Sequence, residues 1–150
     1  MQHQKAFIFF SAFILSLLAT GSLLTNGGIA GSSQGTDHGH HWVAPEEAAN
    51  RANPVKSTPE SIAAGAALFG NNCIGCHGES AKGDGPAAKG LAPKPTDLTA
   101  MAGHHPDGDI AWKIETGKGP MPGWKRTFSE TQIWNIVNFI QSLAHPSPEN

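Results

Sequence analysis

The chain has 150 residues, a formal net charge of -2, eighteen glycines, eleven prolines, no tyrosine and two cysteines. A prior of roughly 100–200 residues per domain allows one small domain with appendages, and ten basic against twelve acidic side chains exclude the dense Lys/Arg surface that nucleic-acid phosphates demand. So much glycine and proline predicts long loops, and a small loop-rich domain needs a stabiliser beyond its own apolar core.

Residues 1–30 read as an export signal. Met1 to Lys5 carries one positive charge, Ala6 to Leu24 is an apolar run, and Gly28-Ile29-Ala30 offers small side chains to a signal peptidase, so cleavage before Gly31 is expected. The apolar run also approaches the ~20 residues of a spanning helix, so residues 6–24, left uncleaved, would anchor the chain to a membrane. Either outcome places the remainder in the periplasm or another extracytoplasmic space. Residues 31–57, rich in Gly, Ser, Asn, Pro and charge, are expected to form a flexible lead-in. His38, His40 and His41 could grip a transition metal, but a mobile segment fixes no geometry, and no site is assigned to them.

Residues 58–145 hold the domain. Thr58-Pro59-Glu60 starts a helix with a capping hydroxyl, a proline in the first turn and a carboxylate at the positive dipole end. The helix is expected to reach about Asn71, with Ile62, Ala66 and Phe69 on one face and Gly65 leaving a notch for another helix. Gly78 to Asp97 is a glycine and proline loop with no strand before it and no GKS/T after it, which excludes a phosphate cradle. Asp107 to Thr116 is a short helix with Ile110 and Ile114 inward, stopped by Gly117. Ser129 and Gln132 make a capping box for the last helix, whose stripe of Ile133, Ile136, Val137, Ile140 and Leu143 runs until Ala144. Pro146 forbids continuation, and residues 146–150 are expected to be a disordered tail. With no alternating strand pattern and no repeat, the fold class is all-α with about three helices.

Cys73-Ile74-Gly75-Cys76-His77 carries the chemistry. It spells C-x-x-C-H, the pattern that attaches a c-type haem, and it holds the chain's only cysteines. Two thiols one helical turn apart can bond the two vinyl edges of a porphyrin while the next residue aims an imidazole at the iron. A thioredoxin-type dithiol would need a βαβ setting, half a zinc site would need further cysteines beside His104 and His105, and a Cys73–Cys76 disulfide would close too small a loop to stabilise much. The other axial face has Met121 as its leading candidate, since Pro120 and Pro122 stiffen its loop and the surrounding glycines let backbone pass close to a ring. A neutral, soft thioether would favour Fe(II) and raise the potential. Met101 is the rival thioether, and His104 or His105 would give a bis-histidine iron.

From Pro59 to Ala144 the chain resembles the class I mono-haem cytochromes c. The residues that carry the resemblance are the helix with Gly65 and Phe69, Cys73-Ile74-Gly75-Cys76-His77, Gly83-Asp84-Gly85-Pro86, Leu91-Ala92-Pro93-Lys94-Pro95-Thr96-Asp97-Leu98, Gly119-Pro120-Met121-Pro122 and the closing helix with Trp134. The resemblance implies a class I cytochrome c fold wrapped around one covalently bound haem c. Cys73 and Cys76 would be the attachment sites, His77 the proximal ligand and Met121 the distal one. It implies that Gly65 and Phe69 meet Trp134 or Val137 at a helix crossing, and that the carbonyl of Pro95 or Pro93 accepts from His77. The function so implied is single-electron transfer between redox proteins and not catalysis, with docking steered by Lys82, Lys89, Lys118 and Lys125. Alternatives are a haem enzyme or sensor with a labile or different distal ligand, and a membrane-anchored cytochrome subunit of a larger oxidoreductase.

Overall fold

The computed structural model describes residues 42–144. The signal or anchor segment, His38, His40 and His41, and the tail from 145 onward lie outside the described residues. Within them the chain forms α1 (Glu46–Ala49), α2 (Pro59–Asn72), α3 (Ile74–His77), a 3-10 turn (Pro86–Gly90), α4 (Leu98–Met101), α5 (Asp107–Thr116) and α6 (Glu130–Ser142). The three long elements are those the sequence predicts, and no strand occurs among the described residues.

Side-chain chemistry sets the ends of these helices. At the start of α2, Thr58 Oγ1 accepts from the Ser61 N–H at 3.3 Å and Ser61 Oγ accepts from the Thr58 N–H at 3.0 Å. A serine thus fills the capping-box place where Glu or Gln is usual. At α6 the box is the expected one: Gln132 Oε1 accepts from the Ser129 N–H at 2.9 Å and Ser129 Oγ from the Gln132 N–H at 3.2 Å. Helix α5 stops at Gly117, whose φ of 66° an L side chain would resist.

Helices α2 and α6 cross face to face. A Cβ on Gly65 would collide with the Asn135 carbonyl and come within 2.9 Å of the Phe139 Cβ, so only glycine lets the backbones approach this closely. One turn on, the rings of Phe69 and Phe139 lie 5.1 Å apart. The partners nearest Gly65 are therefore Asn135 and Phe139, while Phe69, Trp134 and Val137 share one buried cluster. Trp134 faces elsewhere on α6, 1% exposed, with the Arg51 guanidinium 5.0 Å above its ring. Ile133, Trp134, Ile136 and Val137 are fully buried, each contributing about 1.5–3 kcal/mol in removal from water.

Residues 42–57 are packed onto the domain where the sequence suggests a flexible lead-in. Ala44 is buried and its N–H donates to Asp109 Oδ1 at 3.1 Å. Helix α1 lies on α5 because Gly108 has no side chain to hold off the carbonyls of Ala48 and Ala49. Arg51 grips Glu115 with two bonds of 2.9 Å each. Asn53 donates to Asn138 Oδ1 at 2.8 Å, and the Asn138 amide donates to the carbonyls of Val55 and Lys56 at 3.2 and 3.3 Å. This strap is held by polar bonds to residues far along the chain, so apolar periodicity gives no sign of it.

Candidate functional site

Cys73 caps the end of α2, and α3 follows it directly with Cys76 and His77. The Cys73 N–H donates to the Phe69 carbonyl at 2.8 Å, and the His77 N–H to the Cys73 carbonyl at 2.9 Å, so motif and helix are continuous. Gly78, at φ 76°, ends the turn, and the following loop folds back over it. The Gly83 N–H reaches the His77 carbonyl at 2.8 Å and the Gly85 N–H the Cys76 carbonyl at 3.1 Å. A Cβ on Gly85 would strike the Ile74 and Gly75 carbonyls, which explains glycine at that place in Gly83-Asp84-Gly85-Pro86.

Cys73 and Cys76 are both half-buried, and no disulfide joins them. Burial, with the neighbouring Cys76 sulfur, pushes the Cys73 pKa up to about 11. Burial also lowers the His77 pKa, and the Thr96 contact offsets this in part. The imidazole is neutral, with Nδ1 held by the Thr96 carbonyl at 3.2 Å. That arrangement leaves the Nε2 lone pair for a metal.

The carbonyl in question belongs to Thr96 and not to Pro95 or Pro93. The Pro95 carbonyl instead packs against Gly83, where a Cβ would collide with it. The Thr96 segment is pinned on both sides. Leu98 donates to the Ala81 carbonyl at 2.8 Å. Asp97 caps α4, accepting from the Thr99 hydroxyl at 2.6 Å and the Thr99 N–H at 2.9 Å.

Met121 lies in a closed turn. Its carbonyl accepts from the Lys118 N–H at 2.9 Å and its N–H donates to the Lys118 carbonyl at 3.1 Å, with Gly117 and Gly119 at φ 66° and 57°. Trp124 and Lys125 donate to the carbonyls of Ile114 and Glu115 at 2.9 and 3.2 Å, stapling the turn to the end of α5. The Met121 side chain is half-buried against the core, and so is that of Met101 at the end of α4. Of the histidine rivals, His104 is exposed, and His105 bonds Asp109 Oδ2 through Nδ1 at 2.8 Å. Asp109 also accepts from Lys113 at 2.6 Å and from Ala44, so His105 belongs to the strap's anchorage.

Two thiols a helical turn apart, a neutral imidazole beside them and half-buried thioethers form a donor set that fits haem c. The family described as cytochrome C oxidase, cbb3-type, subunit III matches residues 60–140, over half of the chain. The chain belongs to this family. It is 30% identical over 81 residues to cytochrome c6 of Euglena viridis, matching 53% of this chain and 90% of that protein. It is 38% identical over 86 residues to the cbb3-type cytochrome c oxidase subunit FixP of Bradyrhizobium sp. (strain ORS 278), matching 55% of this chain. The match spans only 27% of that subunit. Among solved structures, a reducing HAO-like protein complex of Kuenenia stuttgartiensis aligns with a TM-score of 0.53 and 29% identity, over 60% of this chain and 46% of that one. The chain is thus a class I c-type cytochrome with one covalently bound haem c, and its work is electron transfer with redox-protein partners.

Proposed function

We propose that this cytochrome is an exported one-electron carrier in which Cys73 and Cys76 are the haem attachment sites, His77 is the proximal ligand and Met121 the distal ligand. The observation that carries this reading is His77 directly after Cys76 on α3, with Nδ1 bonded to the Thr96 carbonyl. Haem c, when bound, supplies a one-electron Fe(III)/Fe(II) couple. The Thr96 carbonyl accepts the Nδ1 proton, fixing the tautomer and keeping Nε2 basic. The Met121 thioether is neutral and soft and favours the ferrous state, and its stapled turn presents it without a loop having to order. Were His77 and Met121 both to hold the iron, no position would be left for a substrate, which favours a carrier over an enzyme.

Lys118 and Lys125 are exposed on the Met121 loop, and Lys82 and Lys89 on the loop after the cysteine motif. They suit salt-sensitive steering toward acidic surfaces of larger redox proteins. Export is the role of residues 1–30, and retention of residues 6–24 in a membrane is the variant of it. Among the described residues no helix is long and apolar enough to cross a membrane. A second reading, a cytochrome module of a larger oxidoreductase, is favoured by the match to 27% of an oxidase subunit.

The test is the visible spectrum, haem stoichiometry and midpoint potential of purified protein from a host competent in haem ligation. One haem per chain is expected, with the far-red ferric band of iron–thioether bonding that added cyanide does not readily abolish. Met121→Ala is expected to lose that band and to lower the potential by a sizeable part of the roughly 0.8 V that axial ligation commands, with haem still attached. An unchanged band moves the distal ligand to Met101, and a colourless chain with free thiols rejects the whole reading.

A further inference from the structure

Phe69 contacts two rings. Phe139 of α6 lies 5.1 Å away at 47°, and His77 of α3 lies 6.3 Å away at 49°. Both fall within the roughly 4.5–7 Å of aromatic pairs, and Phe69 is only 3% exposed. His77 therefore has two fixed neighbours. The Thr96 carbonyl at Nδ1 decides which nitrogen carries the proton, but a single hydrogen bond still leaves the ring free to turn about that bond. A tilted aromatic face against the ring removes that freedom. Phe69 in turn is buried and packed against Phe139, which the glycine-permitted approach of α6 at Gly65 brings close.

We infer that Phe69 is a positioning residue that sets the orientation of the His77 imidazole plane, the α2–α6 crossing carrying that constraint into the site. The inference rests on His77 being the axial ligand proposed above. The plane of an axial imidazole decides how unpaired spin spreads over the pyrroles of a low-spin ferric haem. With the thioether on the other face kept the same, the order and spread of the four haem-methyl proton resonances therefore respond to that plane, and a change in overall stability does not alter them.

The experiment is proton NMR of the ferric holoprotein. In the wild type, hyperfine-shifted His77 ring protons are expected; their absence overturns the ligand assignment and this inference with it. Where they are present, Phe69→Leu, apolar but without a flat face, is expected to change the order or spread of the methyl resonances. Val137→Ala, a core position with 0% exposure that makes no aromatic contact with His77, is expected to keep the wild-type order while unfolding at lower temperature. Where Phe69→Leu yields no holoprotein, Phe139→Leu is read in its place, with a smaller shift of the same kind. Wild-type methyl order in whichever of these two folds, or an equal redistribution in Val137→Ala, overturns the role given to Phe69.

Discussion

A methyl group on Gly65 has nowhere to go, because one of its neighbours is the backbone carbonyl of Asn135, which cannot rotate away. Gly65→Ala gains up to about 1 kcal/mol of helix propensity, but overpacking at this crossing outweighs it. The expected net loss is about 2 kcal/mol, read as a Tm lower by roughly 10 °C. Cys73, Cys76 and His77 stand out in the sequence because C-x-x-C-H is the spacing that covalent haem attachment would require. The contact to His77 is less legible. Pro95 and Thr96 are adjacent, and only the fold shows that the carbonyl of one meets Gly83 while that of the other meets the imidazole. Phe139 was hidden behind Trp134 for a similar reason: both are aromatic and apolar, and the face each presents depends on the crossing itself.

The long helices announce themselves through chemistry within a few residues, the boxes at Thr58 and Ser129 and the stop at Gly117. The strap does not, since Arg51, Asn53 and Ala44 find their partners more than sixty residues later. Arg51→Ala is expected to cost about 1–2 kcal/mol, because Glu115, its side chain only 10% exposed, loses a two-bond partner. Urea unfolding at neutral pH checks this. Asp109 supplies the pH dependence. Burial raises its pKa, but the bonds from Lys113, the Ala44 N–H and His105 outweigh burial and hold the carboxyl below its ordinary value. A carboxyl depressed in the folded state stabilises fully above its unfolded pKa, about 3.9, and that contribution is lost as pH falls through the lower folded value. Urea midpoints of the wild type are therefore expected to hold from neutrality to about pH 4 and fall below it. Asp109→Asn is expected to start lower and show a shallower acid limb. Equal slopes for the two proteins would take the strap's acid sensitivity away from Asp109.

At the scale of the molecule, the buried cluster of Phe69, Leu98, Ile110, Ile114 and the α6 stripe leaves Cys73, Met101 and Met121 only half-buried at its edge. The prosthetic group is expected to complete that edge, so Cys73→Ala with Cys76→Ala should lose much of its helical circular dichroism. Native-like helicity without haem would show the polypeptide core to be sufficient. The strap also alters how far the cytochrome could travel. Residues 42–57 are fastened to α5 and α6, the Trp42 ring lying 6.0 Å from that of Trp112. Were residues 6–24 kept in a lipid bilayer, these sixteen residues, which as free chain would span at most roughly 58 Å, would add nothing to the tether. A shorter tether sweeps a smaller volume, so an acceptor fixed in the same bilayer would meet the cytochrome at a higher local concentration than a free lead-in allows.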